Sequence, residues 1–412
     1  MHSIQVFEHS VLKVTKTGKF RPKHFKALAK LNELHNDKYF HLRHNAIKFK
    51  QYVGVIQVAG LAIEILPKID KDTRSEDVWQ KALIQMLKVT RKLKVQKVGE
   101  AIVNKQQIHL LDIYFEWFLN EVRLLMHQGL IKQYYKETKN VKALKGKLEF
   151  AGHLSKNLIH KERFFTTHQV YGKDHLIHQV LSQALDIISN LSKGNYLYHE
   201  CKKVQLNFPE VKNIQANEKT FAKIPDNRKT APYKTALAIA RLIILNYAPN
   251  ITKGSEQMLA LLFDMNSLWE EYILVKLKQI QDENLIIKGQ NSKPFWNGRT
   301  IRPDIVVEYN DEKIIIDTKW KRIDLSKPST NDLRQMYVYN EYWNAKKSIL
   351  LYPSNQTVGG KFISFNKLQD ESENHACKLS KISIFESEKN VLDDNIGAKI
   401  LEFLKDFEPK KE

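Results

Sequence analysis

Two short apolar runs on either side of Asn310-Asp311 constrain the fold of this chain more than any other feature. Asp304 stands just before the first run, and the second run leads into Asp317 and Lys319. An Asn-Asp pair between two apolar runs favours a tight turn, so the sequence predicts a β-hairpin. Side chains alternate along a strand, which should place Asp317 and Lys319 on one face. If the strands pair, Asp304 should lie near Asp317 at the rim of the sheet.

These three residues suit a metal site that cleaves phosphodiesters. Carboxylate oxygens are ligands that Mg²⁺ prefers, and a bound Mg²⁺ polarises a phosphoryl group and activates water. A lysine beside the carboxylates can offset the charge of the transition state. A Pro-Asp followed by an Asp-x-Lys arises often by chance in a long chain, so the interpretation depends on the flanking segments.

The segment before the predicted hairpin supplies a further acid. Apolar residues recur there at helical spacing, which predicts an amphipathic helix from about residue 255 to residue 281. Glu270 lies within this helix and can act as a third acidic ligand. Taken alone, Glu270 would be interpreted as part of a solvated helix face.

The segment after the hairpin predicts another helix. Thr330 or Asn331 can cap its start, and Gln335 and Tyr339 are one turn apart on one face. This pair can contact DNA or support the metal site, whereas Gln335 alone would suggest only a solvated face. Together these residues form one predicted active site. Their order along the chain is a helix with Glu270, a strand that follows Asp304, a strand with Asp-x-Lys, and a helix with Gln-x-x-x-Tyr.

This arrangement resembles the PD-(D/E)xK nucleases, and within them the RecB-like subset that has a Gln-x-x-x-Tyr helix. More narrowly, the chain is similar to the McrC family, the nuclease subunits of McrBC-type, modification-dependent restriction systems. The resemblance spans roughly residues 50 to 355. Outside the site, the matching segments are residues 62–69, which end in Pro67-Lys68-Ile69, the Gly-containing segment 144–148, residues 263–266 and residues 332–336. Thr318 departs from the family pattern, in which a small residue is common.

The resemblance implies a role for each residue of the predicted site. Asp304, Asp317 and Glu270 would hold Mg²⁺ together with the backbone carbonyl of Thr318, which the departure in side chain leaves unaffected. Lys319 would orient the attacking water or offset charge in the transition state.

The resemblance also implies partners. Gln335 and Tyr339 would bind DNA or support the metal site. The chain has no Gly-x-x-x-x-Gly-Lys-Ser/Thr loop, so it should not hydrolyse nucleotide itself. A hexameric McrB-type AAA+ GTPase would use the GTP and recognise double-stranded DNA that carries a modified cytosine, such as 5-methylcytosine. The N-terminal part of this chain would stimulate that GTPase. Arg43, beside a predicted turn at His44-Asn45, is the candidate residue for this stimulation, although an ordinary surface arginine is the simpler interpretation.

Composition agrees with a nucleic-acid partner in the cytoplasm. The chain has 412 residues and a formal net charge of +20, which suits a polyanion because basic side chains displace counterions from phosphates. A lysine-rich proteome would also account for the charge, as would an anionic membrane surface, but no basic amphipathic helix or lipidation signal is visible. Met1–Phe20 does not have the pattern of a signal peptide, and the strongest apolar run, residues 236–245, is too short to cross a bilayer. The two isolated cysteines fit a reducing compartment.

The chain divides by pattern into three predicted parts. Residues 1–72 contain short alternating stretches, which predict a small β-rich region that contacts the partner. Residues 73–255 follow a mainly helical period, and residues 256–412 alternate helix and strand. The predicted fold class is therefore a multidomain combination of α+β and α/β structure. It comprises the β-rich N-terminal region, a helical middle and a C-terminal nuclease domain with a restriction-endonuclease-like α/β core of the PD-(D/E)xK type.

Two other functions stay open from the sequence. A stand-alone repair or recombination nuclease would cut DNA without a GTPase and would cut unmodified DNA equally well. A non-catalytic regulatory or DNA-binding subunit would keep these acids only as relics. The intact set of Asp304, Asp317 and Lys319 argues against that second alternative.

Overall fold

The computed structural model describes residues 2–69, 74–90, 92, 110–248, 258–309, 312–321, 323–366, 375–386 and 389–405. Helices and strands both contribute to it, so the mixed character of the predicted fold class is confirmed. None of the helices in these ranges has the length and apolar character that a membrane span needs.

Strands and helices are numbered here in chain order. The strands are β1 His2–Phe7, β2 Val11–Lys13, β3 Phe40–Arg43, β4 Ala46–Phe49, β5 Tyr52–Val58, β6 Leu61–Leu66, β7 Gln133–Val141, β8 Lys147–Leu148, β9 Phe164–Gly172, β10 Tyr247–Ala248, β11 Met258–Asp264, β12 Leu285–Gly289, β13 Lys293–Trp296, β14 Arg299–Ile301, β15 Ile305–Tyr309, β16 Glu312–Thr318, β17 Lys347–Ser354, β18 Val358–Gly359, β19 Ile363–Ser364 and β20 Ala376–Ser383. The helices are α1 Pro22–Leu34, α2 Glu76–Val89, α3 Leu110–Gln128, α4 Phe150–Lys156, α5 Leu176–Leu191, α6 Tyr196–Asn207, α7 Glu218–Ala222, α8 Lys234–Leu245, α9 Met265–Lys278, α10 Thr330–Trp343 and α11 Ile396–Lys405, with a 3-10 turn at Ala231–Tyr233.

The chain forms two compact units. The middle unit comprises residues 57–60 and 96–261, and the site unit comprises residues 2–56, 61–95 and 262–412. Every residue of the predicted site belongs to the site unit. The three-part division at residues 72 and 255 stays a prediction.

A mixed sheet of seven strands forms the framework of the site unit. Its strands lie in the order β12-β15-β16-β17-β20-β18, and β19 also pairs with β20. β15 and β16 are antiparallel, with Ile305 opposite Ile316 and Tyr309 opposite Glu312, so the predicted pairing is confirmed. The turn at Asn310-Asp311 lies outside the described residues. β16, β17 and β20 run parallel to one another.

Apolar side chains bury the centre of this sheet. Ile314, Ile315 and Ile316 are almost completely inaccessible to solvent. Ile315 packs in a cluster with Met336 and Trp343 of α10. A continuous apolar run is typical of a strand that has neighbours on both sides and cover on both faces. This core holds the ends of β15 and β16 in a fixed register.

The N-terminal part of the site unit is rich in β-structure, as predicted. β1 and β6 run parallel, from His2 opposite Leu61 to Phe7 opposite Leu66. β2, β4 and β3 form a separate antiparallel sheet. α1 adds a helix to the elements expected from the sequence. Pro22 opens that helix at a position where a backbone N–H would have no partner within the helix.

The middle unit contains an antiparallel sheet that the prediction of a mainly helical middle region did not include. Its long helices α3, α5, α6 and α8 pack against one another, but β7, β9 and β8 form an antiparallel sheet. β7 pairs with β9 along its whole length, from Gln133 opposite Gly172 to Val141 opposite Phe164. Side chains of β7 mostly alternate between half-buried and exposed, yet few are apolar, so the period of two is hard to recognise in the sequence. Cys201 lies within α6.

The helix predicted over residues 255–281 is wrong over residues 258–264, and residues 255–257 lie outside the described part of the chain. β11 occupies Met258–Asp264, and α9 begins at the next residue. The Asp264 carboxylate caps α9 by accepting hydrogen bonds from the backbone N–H groups of Asn266 and Ser267. A short apolar run fits a strand and a helix equally well by periodicity alone, whereas an aspartate cap fixes where the helix starts.

Candidate active site

Asp304 is fixed at the rim of the sheet by two hydrogen bonds from the neighbouring strand. It comes immediately before β15, and its Oδ2 accepts from the Thr318 backbone N–H at 2.7 Å and from the Thr318 hydroxyl at 3.0 Å. Thr318 is the last residue of β16, which pairs with β15. Pairing of the two strands therefore brings the two acidic segments together.

Asp317 and Lys319 form an ion pair at the same rim. Nζ of Lys319 lies 2.6 Å from Oδ2 of Asp317, whose side chain is only 1 % exposed. The Lys319 backbone N–H donates to the Leu351 carbonyl at 3.0 Å, so β17 holds the lysine one residue beyond the end of β16. The structure thus brings Asp304, Asp317 and Lys319 together.

α10 reaches this site through consecutive hydrogen bonds. Nζ of Lys319 donates to Oε1 of Gln335 at 3.2 Å, and Nε2 of Gln335 donates to the Tyr339 hydroxyl at 2.8 Å. The Tyr339 hydroxyl donates to the Arg302 carbonyl at 2.9 Å. Gln335 and Tyr339 therefore share a helix face, as expected. Through them α10 is bonded to Arg302, two residues before Asp304, and to Lys319, two residues after Asp317.

The start of α10 corrects one detail of the prediction. Ser329 is the N-cap, and its hydroxyl accepts from the Asp332 backbone N–H. Thr330 and Asn331, the predicted caps, are instead the first two residues of the helix. Serine, threonine and asparagine are all favoured caps, so the sequence alone does not discriminate among three adjacent candidates.

Burial makes the two aspartates more basic. The pKa of Asp317 is raised to about 7, mainly by burial and to a smaller extent by the charge of Asp304. Burial also raises the pKa of Asp304, against the opposing effects of the Thr318 hydrogen bonds and the Lys319 ammonium. Burial disfavours the Lys319 ammonium, but the charges of Asp317 and Asp304 outweigh it and raise the pKa of Lys319. Perturbed groups of this kind are concentrated at functional sites.

Glu270 lies in α9 and is electrostatically linked to Asp304. Burial, followed by the charge of Asp304, raises the pKa of Glu270. Its Oε1 accepts from Nε2 of Gln290 at 3.3 Å, and the Gln290 backbone N–H donates to the Asp304 carbonyl at 3.1 Å. Among the described residues, no group of three or more His, Cys, Asp or Glu side chains is arranged to hold a metal ion. Glu270 therefore does not complete such a group, and its role as a ligand stays a prediction.

Two further expectations concern Arg43 and the Thr318 carbonyl. Arg43 ends β3 with an exposed side chain beside the turn at His44-Asn45, where Asn45 has a φ of 47°. The turn is confirmed, and the effect of Arg43 on a partner stays a prediction. Thr318 contacts Asp304 through its N–H and hydroxyl, so a metal contact by its carbonyl also stays a prediction.

Sequence reasoning missed Gln290 and a second supporting residue, Glu8. Oε1 of Glu8 accepts from the Trp320 indole N–H at 2.7 Å and from the Lys68 backbone N–H at 3.1 Å. Trp320 directly follows Lys319, so Glu8 anchors the chain just beyond the lysine. No local pattern could have identified Glu8, because its partners lie far away in the sequence.

The fold is that of a multidomain protein built from helices and sheets. Paired carboxylates and a lysine at the rim of one mixed sheet form a candidate hydrolytic site. The chain belongs to the McrBC 5-methylcytosine restriction system component family, whose model matches residues 47–353. The resemblance inferred from the sequence is thereby confirmed. The chain is also 21 % identical over 278 residues to the type IV methyl-directed restriction enzyme EcoKMcrBC of Escherichia coli K12, a match that covers 61 % of this chain and 78 % of the relative.

Solved structures have a similar fold. The refined half-complex from the tetradecameric assembly of Thermococcus gammatolerans McrB AAA+ hexamers with bound McrC matches with a TM-score of 0.67 and 18 % identity, covering 98 % of this chain and 99 % of the matched chain. The cryo-EM structure of the Thermococcus gammatolerans McrBC complex matches with a TM-score of 0.50 and 18 % identity, covering 67 % and 87 %. At this level of identity, the similarity establishes the fold alone.

Proposed function

We propose that this chain is the nuclease subunit of a GTP-dependent restriction complex directed to DNA with modified cytosine. In this proposal the C-terminal part has a PD-(D/E)xK core and hydrolyses DNA phosphodiesters with Mg²⁺. One observation carries the proposal: Asp304, Asp317 and Lys319 meet at one sheet rim in a chain of the McrBC family.

The acidic pair fits a divalent cation. The Asp317 carboxylate is buried, and its pKa is raised to about 7 by that burial and by the nearby charge of Asp304. A hard cation with oxygen ligands relieves both effects, because it offsets the repulsion and replaces lost hydration. Asp304 and Asp317 would hold Mg²⁺, with Glu270 and the Thr318 carbonyl as further ligands. Bound Mg²⁺ supplies polarisation of the phosphoryl group and a water of lowered pKa.

The other site residues would orient groups and balance charge. Lys319 has a raised pKa and therefore stays an ammonium ion at neutral pH. Its side chain is 24 % exposed, so part of the lysine is accessible from solvent. Lys319 would offset charge in the transition state or orient the attacking water. Gln335 and Tyr339 would keep that ammonium in place through the hydrogen bonds described above.

The GTP-dependent step would belong to a partner. A structure of similar fold is an assembly of McrB AAA+ hexamers with bound McrC, which supports a McrB-type AAA+ GTPase hexamer as the partner of this chain. The partner would bind and hydrolyse the GTP, because no phosphate-binding loop of the Walker type occurs in this sequence. The N-terminal region, with Arg43 as the candidate residue, would stimulate that hydrolysis.

Double-stranded DNA that carries 5-methylcytosine or a related base would be the substrate. A relative of this chain is a methyl-directed restriction enzyme. The net charge of +20 supports a DNA partner, since basic side chains release counterions from phosphates. Recognition of the modified base would belong to the partner.

A reconstituted cleavage assay tests this function. The full chain is combined with the McrB-type partner, GTP and Mg²⁺, and methylated and plain plasmids are compared. We expect cleavage of the methylated plasmid only, and only with partner and GTP present. Cleavage of plain DNA without the partner would instead favour a stand-alone repair nuclease. Stimulated GTP hydrolysis with no cleavage under any of these conditions would favour a regulatory subunit.

A further inference from the structure

A two-stranded hairpin leaves the main sheet of the site unit beside the acidic rim. Its strands, Lys293–Trp296 and Arg299–Ile301, pair with each other as a separate sheet. The hairpin connects β12 to β15, whose ends Gly289 and Ile305 are opposite each other. Asp304 immediately precedes Ile305. The hairpin therefore emerges from the end of the sheet at which Asp304 lies.

The tip of this hairpin exposes aromatic and basic side chains. Trp296 is 69 % exposed and Phe295 is 47 % exposed. Asn297 and Gly298 form the turn with φ values of 31° and 75°, the signs required by a tight type I′ turn. Arg299 follows with an exposed side chain that has no ion-pair or hydrogen-bond partner in the described part of the chain. Tryptophan is usually well buried, so an exposed tryptophan beside an unpaired arginine indicates a binding surface.

The first strand of the hairpin is tied to α10. The rings of Phe295 and Tyr342 lie 5.5 Å apart between centroids, and Lys293 Nζ donates to the Tyr342 carbonyl. After the second strand, the Arg302 carbonyl accepts from the Tyr339 hydroxyl. α10 also contacts the acidic site, so one helix supports both features and fixes the hairpin relative to the acids.

We propose that this hairpin holds the DNA duplex next to the phosphate to be cleaved, with Trp296 inserted in the minor groove and Arg299 on a phosphate. The inference rests on the nuclease function proposed above. Apolar wedges enter the minor groove, aromatic rings stack on bases, and arginine binds phosphate in a planar, bidentate way. Arg299 is five residues from Asp304, a reach of at most about 18 Å. A duplex seated at Asp304 is therefore within reach of the hairpin, which favours DNA over a protein partner.

Fluorescence anisotropy of a labelled duplex tests the contact. The full chain carries Asp317→Asn to prevent cleavage and is compared with the same chain after further substitution. Trp296→Ala should weaken duplex binding at least about fivefold, because stacking on one base contributes about 1–3 kcal/mol. Trp296→Phe should restore most of the affinity. Ile363→Ala, at another exposed apolar residue of the site unit, is the matched control and should leave the affinity unchanged.

The salt dependence of binding tests the role of Arg299. Arg299→Ala should make the plot of log affinity against log salt concentration less steep. The change in slope should be about the amount that corresponds to one phosphate contact. Equal duplex affinities for the parent chain and Trp296→Ala would overturn the proposal. A loss confined to association with the AAA+ partner would also overturn it, because the hairpin would then be a protein-binding element.

Cleavage kinetics keep this inference separate from the nuclease function. In the nuclease-active chain with its partner, Trp296→Ala should raise KM while kcat stays near the wild-type value. Asp304→Asn should instead lose kcat and retain its affinity for the duplex. Undiminished cleavage by Asp304→Asn would refute the nuclease assignment, whereas the anisotropy measurements would still decide whether the hairpin binds DNA.

Discussion

Both the backbone N–H and the hydroxyl of Thr318 donate to a single oxygen of Asp304, at 2.7 Å and 3.0 Å. These bonds engage Oδ2, whereas Oδ1 has no hydrogen-bond donor among the residues that the structure describes. Thr318 thereby orients the Asp304 carboxylate, and Oδ1 is the atom that we expect to face a cation.

Loss of the Thr318 hydroxyl should slow cleavage moderately. Thr318→Val keeps the backbone N–H bond to Asp304 and removes the second bond. We expect a cleavage rate about tenfold lower, since a hydrogen bond to a charged group contributes about 1.5 kcal/mol. Single-turnover rates with the partner present measure the effect, and Thr318→Ser should stay near the wild-type rate. A loss as large as that of Asp304→Ala would contradict a purely orienting role.

Gln335 and Tyr339 should act on cleavage as one unit, because both hold the Lys319 ammonium through consecutive hydrogen bonds. Gln335→Ala and Tyr339→Phe should each lower the cleavage rate about three- to tenfold. The double variant should lose less than the product of the two effects, with a coupling of about 1 kcal/mol. A double-mutant cycle of single-turnover rates measures this, and strict additivity would disprove the connection.

Glu8 should make the site unit less stable as pH rises. Burial raises the pKa of Glu8 to about 7, against the opposing hydrogen bonds from Trp320 and Lys68. The folded state therefore binds more protons than the unfolded state between about pH 4.5 and pH 7. Stability should fall as pH rises through this window and then level off. Glu8→Gln keeps an oxygen acceptor for Trp320 and should recover about 2 to 3 kcal/mol at pH 8.

Urea unfolding followed by tryptophan fluorescence at pH 5.5 and pH 8 measures this effect of Glu8. Glu33→Gln, at an exposed glutamate of the same unit, is the control. It should preserve the pH dependence of the wild-type chain. Identical pH dependence in the wild type and Glu8→Gln would show that Glu8 is not the group responsible.

His178 should have the opposite effect in the middle unit. Its ring nitrogens lie 2.7 Å from the Lys173 carbonyl and 3.2 Å from the Tyr233 hydroxyl. Burial, followed by the neighbouring His175, lowers the pKa of His178 to about 4. Because the folded-state pKa lies below the unfolded value, stability is complete above about pH 6.5 and is lost as pH falls towards 4. The loss between pH 7.5 and pH 5 should be about 2 kcal/mol.

Hydrogen exchange of the α5 amides at these two pH values, corrected for intrinsic rates, measures the His178 contribution. His178→Gln should remove most of the pH dependence, whereas His160→Gln, at an exposed histidine, should preserve it. Unchanged protection of α5 in the wild type at pH 5 would rule out the predicted loss.

The acidic rim could be predicted because its geometry is local. Strand alternation places Asp317 and Lys319 on one face, and the pairing of β15 with β16 brings Asp304 beside them. The shared face of Gln335 and Tyr339 follows in the same way from helical spacing. Such relationships depend on a few consecutive residues and one neighbouring element.

The remaining features depend on contacts that the sequence does not encode locally. β11 has the apolar run of a buried helix, and only its tertiary surroundings make it a strand. β7 has few apolar residues to reveal its alternation. Glu8 supports Trp320 from 312 positions away in the sequence. No pattern within a short window connects such residues.

Cleavage of methylated DNA by Asp304→Ala, Asp317→Ala and Lys319→Ala tests the central claim most directly. Each variant is assayed with the AAA+ partner, GTP and Mg²⁺, and partner binding and GTP hydrolysis are measured in parallel. We expect cleavage to fall at least about a hundredfold in each variant, because each removes a ligand or a charge at the reacting phosphate. Partner binding and GTPase stimulation should stay intact. Wild-type cleavage rates in any of the three variants would contradict the assignment of the active site.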